Sequence, residues 1–367
     1  MRQKKRILLI GDTPGWAFHR IIEFIIQRVK GFDFYVDFTV NHPRVHTKTT
    51  SDFVSKGTVT LSNARRKWPF QNIIVLRALV FHSMKFLHRI GLSKFDEHGF
   101  LRRVTSDNSY DLVVYLDYYM DKDGDFEHIR ADKTVKGIFT EQFPPKGVIH
   151  YADMTIEAFC QEYLSDSHAL LVGAPSIEEV YRKVFKSPIF FANLCYDEAL
   201  FTPRKRLKNK EFIIGWTGNP DRDFKGFYSH VIPAIEALQA MGYPVALRTQ
   251  FQGSIRSLAT FWQGVDLALI ASEADAGPSM FIEASLCGVP SVSTKIGLPQ
   301  FVINHGENGL LCERTVEDMV LAIQQLLDDS LLYHRIQSNI RASYVEKLGV
   351  EAQKQRWEKI FNAVLHE

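Results

Sequence analysis

A chain of 367 residues, 46% hydrophobic and 23% charged, is long enough for two separately packed domains and is ordinary globular composition, which excludes disordered and fibrous classes. A formal net charge of +2 makes no global case for a nucleic-acid binder, although locally concentrated charge leaves a nucleic-acid acceptor open. The four cysteines, Cys160, Cys195, Cys287 and Cys312, have no CxxC or metal-ligand spacing and read as reduced thiols of a cytoplasmic protein.

The first six residues are basic, as in a signal peptide, but the apolar run Ile7 to Ile10 stops at Gly11-Asp12, too short for a signal or a membrane span. That run predicts a buried parallel strand, and Phe18 to Val29 has the apolar spacing of a helix. The loop Gly11 to Trp16 then occupies the position where doubly wound sheets bind ligands. It lacks GxGxxG, so a dinucleotide site is poorly supported, and a tight turn with Trp16 packed beneath it is the competing reading. Phe34, Val36, Phe38 and Val40 alternate as a second strand, and 41–63 reads as a long polar loop or short hairpin.

Residues 65–103 are basic and apolar together, with Ile73, Leu76, Val80, Met84 and Leu87 on one helical stripe. Such a helix is either a domain helix with a solvated basic face or a peripheral contact with the anionic inner face of a membrane. Tyr110 to Asp117 is a further buried strand. Asp121, Asp123 and Asp125 superficially resemble a calcium loop, but the glycine is misplaced and no later Glu completes it, so a solvated turn is expected. Lys136 to Glu141 predicts a strand whose terminal Glu141 either touches an acceptor or is a loop acid. His168 to Gly173 is the next strand, Ser176 is expected to cap a helix through Val184, and Ile189 to Leu194 closes the half. The basic, polar stretch from Arg204 to Lys210 reads as a linker, which sets domain limits of 1–203, 204–348 and a terminal helix 349–367.

The second half restarts with a strand from Phe212 that runs into Gly218-Asn219-Pro220-Asp221-Arg222-Asp223-Phe224-Lys225-Gly226, a glycine loop with two cations. A lysine beside such a loop is a point charge for a diphosphate, and an arginine can grip one through two N–H groups. The alternative for Lys225 is a surface lysine ahead of the helix that contains Val231, Ile232, Ile235 and Leu238. Strands at Pro244 to Arg248 and Val265 to Ile270 flank a brief helix at Ser257 to Trp262, and helices follow at Val316 to Leu327, Leu331 to Leu348 and Glu351 to His366.

The run Ser272 to Pro290 carries the most information. An acidic loop with Gly277-Pro278 follows a strand, and a helix opens near Ser279 and stops at Gly288. The first-turn N–H groups and the helix dipole favour an anion such as phosphate. Asp275 and Glu283 frame this place, and acids there suit hydroxyl groups, although a loop cap and a solvated helix acid explain them equally well. Phosphates flanked by hydroxyls describe a nucleotide sugar.

The segment resembles the donor signature of retaining GT-B glycosyltransferases, the family 4-like group related to glycogen synthase and sucrose synthase. That pattern is Glu, seven residues, Glu, then Gly-x-Pro. Glu283, Ala284, Gly288 and Pro290 fit, as do Ser291 to Gln300 and Asn304 to Leu311, while Asp275 replaces the first Glu and Ala276-Gly277-Pro278 replaces Gly-Phe-Gly. The resemblance covers Phe212 to Leu311 well, and Asn193 to Pro203 resembles the group's interdomain passage. It implies an α/β GT-B fold of two Rossmann-like domains facing across a cleft, with the last helix crossing back to the first domain. It also implies a sugar transfer from a nucleoside-diphosphate sugar to an acceptor hydroxyl with retention, the acceptor being a glycan, a lipid-linked or another hydroxyl compound.

No metal or other cofactor is implied, the nucleotide sugar being a co-substrate. Lys225, Asp275 and Arg222 would be catalytic, with Arg222 nearer to Lys225 than the group's spacing. Gly15, Gly218, Asn219, Lys225, Gly277, Pro278, Ser279, Met280 and Glu283 would bind the donor, and Trp16 and Glu141 would lie on the acceptor side. Phe251-Gln252-Gly253 stands near the group's Phe-x-Gly before the base pocket. A nucleotide-sugar epimerase of the same fold and a non-catalytic nucleotide-sugar-binding protein are the rival functions.

Overall fold

The computed structural model describes residues 4–13, 17–39, 103–121, 126–141, 154–203, 211–251 and 254–366. The chain divides into two compact units, one of Met1–Ile138, Cys160–Leu171 and Phe361–Glu367, the other of Phe139–Phe159 and Val172–Ile360. Two sheets organise it. Strands β1 (Arg6–Gly11), β2 (Asp33–Phe38), β3 (Ser109–Tyr115), β4 (Arg130–Ile138), β5 (Ala169–Val172) and β6 (Ile189–Phe191) form a sheet of order β2-β1-β3-β4-β5-β6. Strands β7 (Phe212–Thr217), β8 (Val245–Gln250), β9 (Leu267–Ile270), β10 (Ser291–Thr294) and β11 (Leu310–Cys312) form the order β11-β10-β9-β7-β8. The β1–β2, β1–β3, β3–β4, β7–β8, β7–β9, β9–β10 and β10–β11 pairs are parallel. Helices interleave with them, so the strand–helix alternation expected of an α/β protein is met.

Ile7 to Ile10 are fully buried, as in a parallel strand covered on both faces. The helix Ala17–Arg28 buries Ile21, Ile22, Phe24 and Ile25 on one face and has Arg28 in its last turn, where the dipole favours a cation. Ser254 caps Ile255–Trp262 by accepting from Ser257 N, and Thr315 caps Val316–Asp328 by accepting from Asp318 N. Helices Ser330–Leu348 and Val350–His366 end the described chain, and Phe361 packs on Phe32 and Phe34 with ring centroids 5.5 and 5.6 Å apart.

Two sequence expectations are corrected. Strand β4 begins at Arg130 and ends at Ile138, because its exposed first residues pair in register with Ser109 to Tyr115; Glu141 therefore lies in the bend beyond the strand. Ser176 is not a cap. Pro175 takes the first helical position of Pro175–Tyr181, as its fixed φ favours, which leaves Ala174 as N-cap and the Ser176 hydroxyl free to bond Glu141.

The expected turn acid Asp121 is an ion-pair partner instead. Lys136 is 1% exposed and gives its ammonium to Asp121 Oδ2 at 2.6 Å, Asp166 Oδ1 at 2.7 Å and the Tyr163 carbonyl at 2.9 Å. Asp123, Asp125, the loop 41–63 and residues 65–102 lie outside the described residues; Arg103 pairs with Asp33. All four cysteines are buried, and none is in a disulfide. Among the described residues no helix is long and apolar enough to cross a membrane.

Candidate functional site

In the second sheet the strand order reverses between β7 and β9: the chain goes from β7 to β8 on one side, then returns to β9 on the other. Open α/β sheets bind ligands at the strand carboxyl ends beside such a switch. The loop after β7 brings Gly218, Asn219, Arg222 and Lys225 to this place, and the loop after β9 brings Asp275 to Met280. Their backbones are tied together, since Glu273 N donates to the Phe224 carbonyl at 2.7 Å. Gly226, at φ 68°, follows Lys225 in the left-handed region and approaches the Ala271 carbonyl so closely that a Cβ would sit 2.6 Å from it. Beneath the loop Trp216 packs on Phe227 with centroids 4.4 Å apart.

Lys225 Nζ donates to Asp275 Oδ2 at 2.9 Å, and both side chains are half-buried at 16% and 17% exposure. The other Asp275 oxygen accepts from Gly277 N at 3.2 Å, so the side chain caps its own loop with that oxygen while it pairs with Lys225 through the first. Helix Ser279–Leu286 starts directly after Pro278, with Phe281 N as the first amide turned back onto the Pro278 carbonyl. The N–H groups of Ser279 and Met280, ahead of it, are first-turn donors of the kind that suit an anion.

The Asp275 loop is shaped by close backbone approaches. Gly277 lies against Asn193, where a Cβ would come 2.5 Å from Nδ2, and Asn193 donates to the Gly173 carbonyl. Gly297, at φ 26°, sits against the carbonyls of Asp275 and Ala276, leaving no room for a Cβ, and Leu298 N donates to Ala276 O at 2.9 Å. Glu141 completes this shell: its Oε1 accepts from Ser176 Oγ at 2.5 Å and Gly297 N at 2.6 Å, and its Oε2 from Asp275 N at 3.4 Å. Burial pushes the Glu141 carboxyl above its ordinary range; the hydrogen bonds oppose that shift, and the Asp275 charge adds to it.

Glu283 is 2% exposed, and its Oε2 accepts from the indole N–H of Trp262 at 2.8 Å. Arg222 is exposed at the head of the turn Asp223–Lys225, and Asn219 Oδ1 accepts from Asp221 N at 3.1 Å. Thus Lys225, Asp275, Gly277, Pro278, Ser279, Met280 and Glu141 stand together around one loop. Gly15, Trp16, Gln252 and Gly253 lie outside the described residues, while Phe251 is 54% exposed.

The first sheet has its own switch, between β1 and β3, and there the structure adds a pair that the sequence reading left unremarked. Asp12 follows β1 and Asp117 follows β3, each just past the strand's end. Burial holds the Asp117 carboxyl well above the usual range; the Tyr118 N–H, donating at 2.8 Å, opposes this and the Asp12 charge adds to it. A strand followed by Asp twice over was the available signal, but only the strand order makes the two neighbours. Among the described residues no group of three His, Cys, Asp or Glu side chains could hold a metal ion.

Residues 236–343 match the family described as glycosyl transferases group 1. Over 124 residues the chain is 32% identical to N-acetyl-alpha-D-glucosaminyl L-malate synthase of Bacillus anthracis, a match that spans 33% of this chain and 32% of that protein. Crystal structures of HepE from Anabaena in complex with UDP and glucose, and of sucrose-phosphate synthase from Thermosynechococcus elongatus, superpose with TM-scores of 0.62 and 0.64. Each is 15% identical; the superpositions cover 98% and 99% of this chain and 100% of each of those chains. The fold is GT-B. The GT-B expectation is therefore met; the family match includes Asp275 and Glu283 and begins after Lys225.

Proposed function

We propose that the protein is a glycosyltransferase that moves a sugar from a nucleoside-diphosphate sugar to an acceptor hydroxyl with retention of configuration. The carrying observation is the Lys225–Asp275 pair at the switch point of the second sheet, beside the first turn of Ser279–Leu286. A cation and free-facing amides stabilise the charge that grows on a departing diphosphate, and their stabilisation is largest where water is excluded. In this reading the bond from the anomeric carbon to the diphosphate breaks as the acceptor oxygen bonds on the same face. The acceptor proton passes to the departing phosphate oxygen. Lys225 and the Ser279 and Met280 amides take the diphosphate charge, Asp275 holds sugar hydroxyls, and Glu283, oriented by Trp262, takes the ribose hydroxyls. Because a lysine and a helix terminus supply this neutralisation, turnover is expected to persist in chelator.

The test is a thermal-shift panel of nucleoside diphosphates and their sugars, since a ligand bound only by the native state raises its stability. UDP and UDP-glucose head the panel, as structures of HepE contain both. Acceptors to be tried with any donor hit are glycans, lipid-linked hydroxyls and L-malate, the last because it is in the name of the Bacillus relative. The cysteine spacing supports a cytoplasmic setting, and the basic, apolar sequence of residues 65–103 supports a membrane contact there; vesicle co-sedimentation checks the latter. Stabilisation by no member of the panel would overturn the proposal, and conversion of the donor alone to an isomer would replace it with an epimerase.

A further inference from the structure

The sequence reading gave Glu141 to the acceptor, yet its carboxylate is engaged by three donors from three separate elements. Ser176 comes from helix Pro175–Tyr181, Asp275 N from the loop after β9, and Gly297 N from the head of helix Gly297–Val302. Two of these donors bracket the segment 275–277: Asp275 N begins it, and Gly297 is pressed against the carbonyls of Asp275 and Ala276. A carboxylate that accepts from both sides of a loop fixes the backbone of that loop, and the side chain of Asp275 leaves the same backbone to reach Lys225.

We propose that Glu141 is a positioning residue that clamps loop 275–277 from behind and thereby sets the direction in which Asp275 presents its carboxylate. This rests on the reading of Asp275 as the group that holds donor hydroxyls. It differs from an acceptor contact, because Glu141 acts through Asp275 and Gly297. Displacing a group that orients substrate by about 1 Å costs on the order of a hundredfold in rate.

The clamp is strongest with the ionised carboxylate, which accepts from all three donors at once. A proton on Oε2 would stand against the Asp275 N–H, two donors facing each other, and the 3.4 Å contact would be lost. The charged group that bears on Glu141 is Asp275, itself paired with Lys225. On helix Pro175–Tyr181 Glu178 pairs with Arg182 and Glu179 is exposed, and Gly297–Val302 contains no titratable residue. Since burial holds the Glu141 carboxyl above its ordinary 4.5, the clamp opens as pH falls through that raised value.

Two measurements on the full chain test this: hydrogen exchange by mass spectrometry in peptides containing Asp275 and Gly297, and the pH profile of turnover with UDP-glucose as probe. E141Q should speed exchange in both peptides by about tenfold, leave UDP affinity within about threefold, lower kcat more than KM, and remove the acid limb of the profile. S176A, which takes away one hydrogen bond that favours the ionised form, should keep the limb and move it to higher pH; it also serves if E141Q does not fold. Unchanged exchange in both peptides, or superimposable pH profiles for the wild type and E141Q, would overturn the clamp. If the wild type neither binds UDP nor consumes UDP-glucose, the proposed donor fails, and the exchange data still decide for or against the clamp.

Discussion

Each sheet reverses its strand order once, between β1 and β3 in the first and between β7 and β9 in the second, yet the two switches carry opposite chemistry. At the first stand two carboxylates, Asp12 and Asp117, one of them held toward its protonated form. At the second stand a lysine and a carboxylate, both half-buried, in a loop shaped by glycines and followed by a helix N-terminus. The same topology thus presents two carboxylates at one switch and a lysine–carboxylate pair beside a helix N-terminus at the other. Topology selects where ligands go, and the few side chains at the strand ends select which.

The sharpest way to break this contrast is K225A. In the proposed reaction Lys225 takes charge from a departing diphosphate, so its removal should lower kcat by about a hundredfold to a thousandfold, or about 2.7 to 4 kcal/mol. Deleting Lys225 also leaves the mostly buried Asp275 without its cation, which should cost on the order of 1 to 3 kcal/mol of stability. Steady-state kinetics beside thermal unfolding separates the two, and a variant that turns over normally would show the cation to be incidental.

K136A provides the counterpart in the first unit. Lys136 is saturated by Asp121, Asp166 and the Tyr163 carbonyl, whereas Lys225 has Asp275 as its one ion-pair partner among the described residues and lies over the Phe224 ring. Deleting Lys136 strands the largely buried Asp121 and should cost about 3 kcal/mol in chemical denaturation. The Asp121 carboxyl already sits above its ordinary 3.8 through burial, so the loss should shrink as pH falls and Asp121 takes up a proton. A cost that does not vary with pH would mean that packing of the lysine stem, not its charge, holds the region.

How far such contrasts were legible in sequence differs between the halves. The run Asp275 to Pro290 is contiguous, so a strand, a loop and a helix start could be read from it directly, and Lys225 was marked by the glycines around it. Lys136 was not legible: a lysine between Val135 and Gly137 reads as a solvent-facing strand residue, and its burial is decided by Asp121 and Asp166 on other segments. Ser176 misled because it looked like a helix cap, when Pro175 had already fixed the helix start one residue earlier. Glu141 was expected to meet an acceptor because sequence could show a strand end but not the three donors that converge there. Asp12 and Asp117 become neighbours only once β1 and β3 are adjacent in the sheet.

D117N probes the acid pair. Its folded-state carboxyl is raised well above 3.8, so its stabilising contribution is present below that ordinary value and is lost as pH rises through the raised one. Asparagine carries no such penalty. The Tm of D117N relative to wild type should therefore climb as pH rises from 3.8 through the raised value. A flat difference would place Asp117 among ordinary solvated acids and dissolve the contrast between the switches.

The smallest effect should belong to R222A, and it sharpens what distinguishes Lys225. Both cations belong to one loop, but Arg222 is exposed at the head of the turn, while Lys225 is half-buried against Asp275. An exposed charge acts through the field it adds to the surface, which steers an anionic donor inward and is screened over about 8 Å at physiological salt. Its loss should leave stability within about 0.5 kcal/mol and slow donor association by a few-fold at low salt. A charge that touches the departing diphosphate would behave otherwise, since screening does not reach a partly buried contact. A salt titration of donor association and of kcat therefore separates the two: the R222A deficit should vanish near 0.15 M salt, and the K225A deficit should persist. If R222A also lowers kcat at high salt, the arginine reaches the diphosphate after all, and the loop works with two cations.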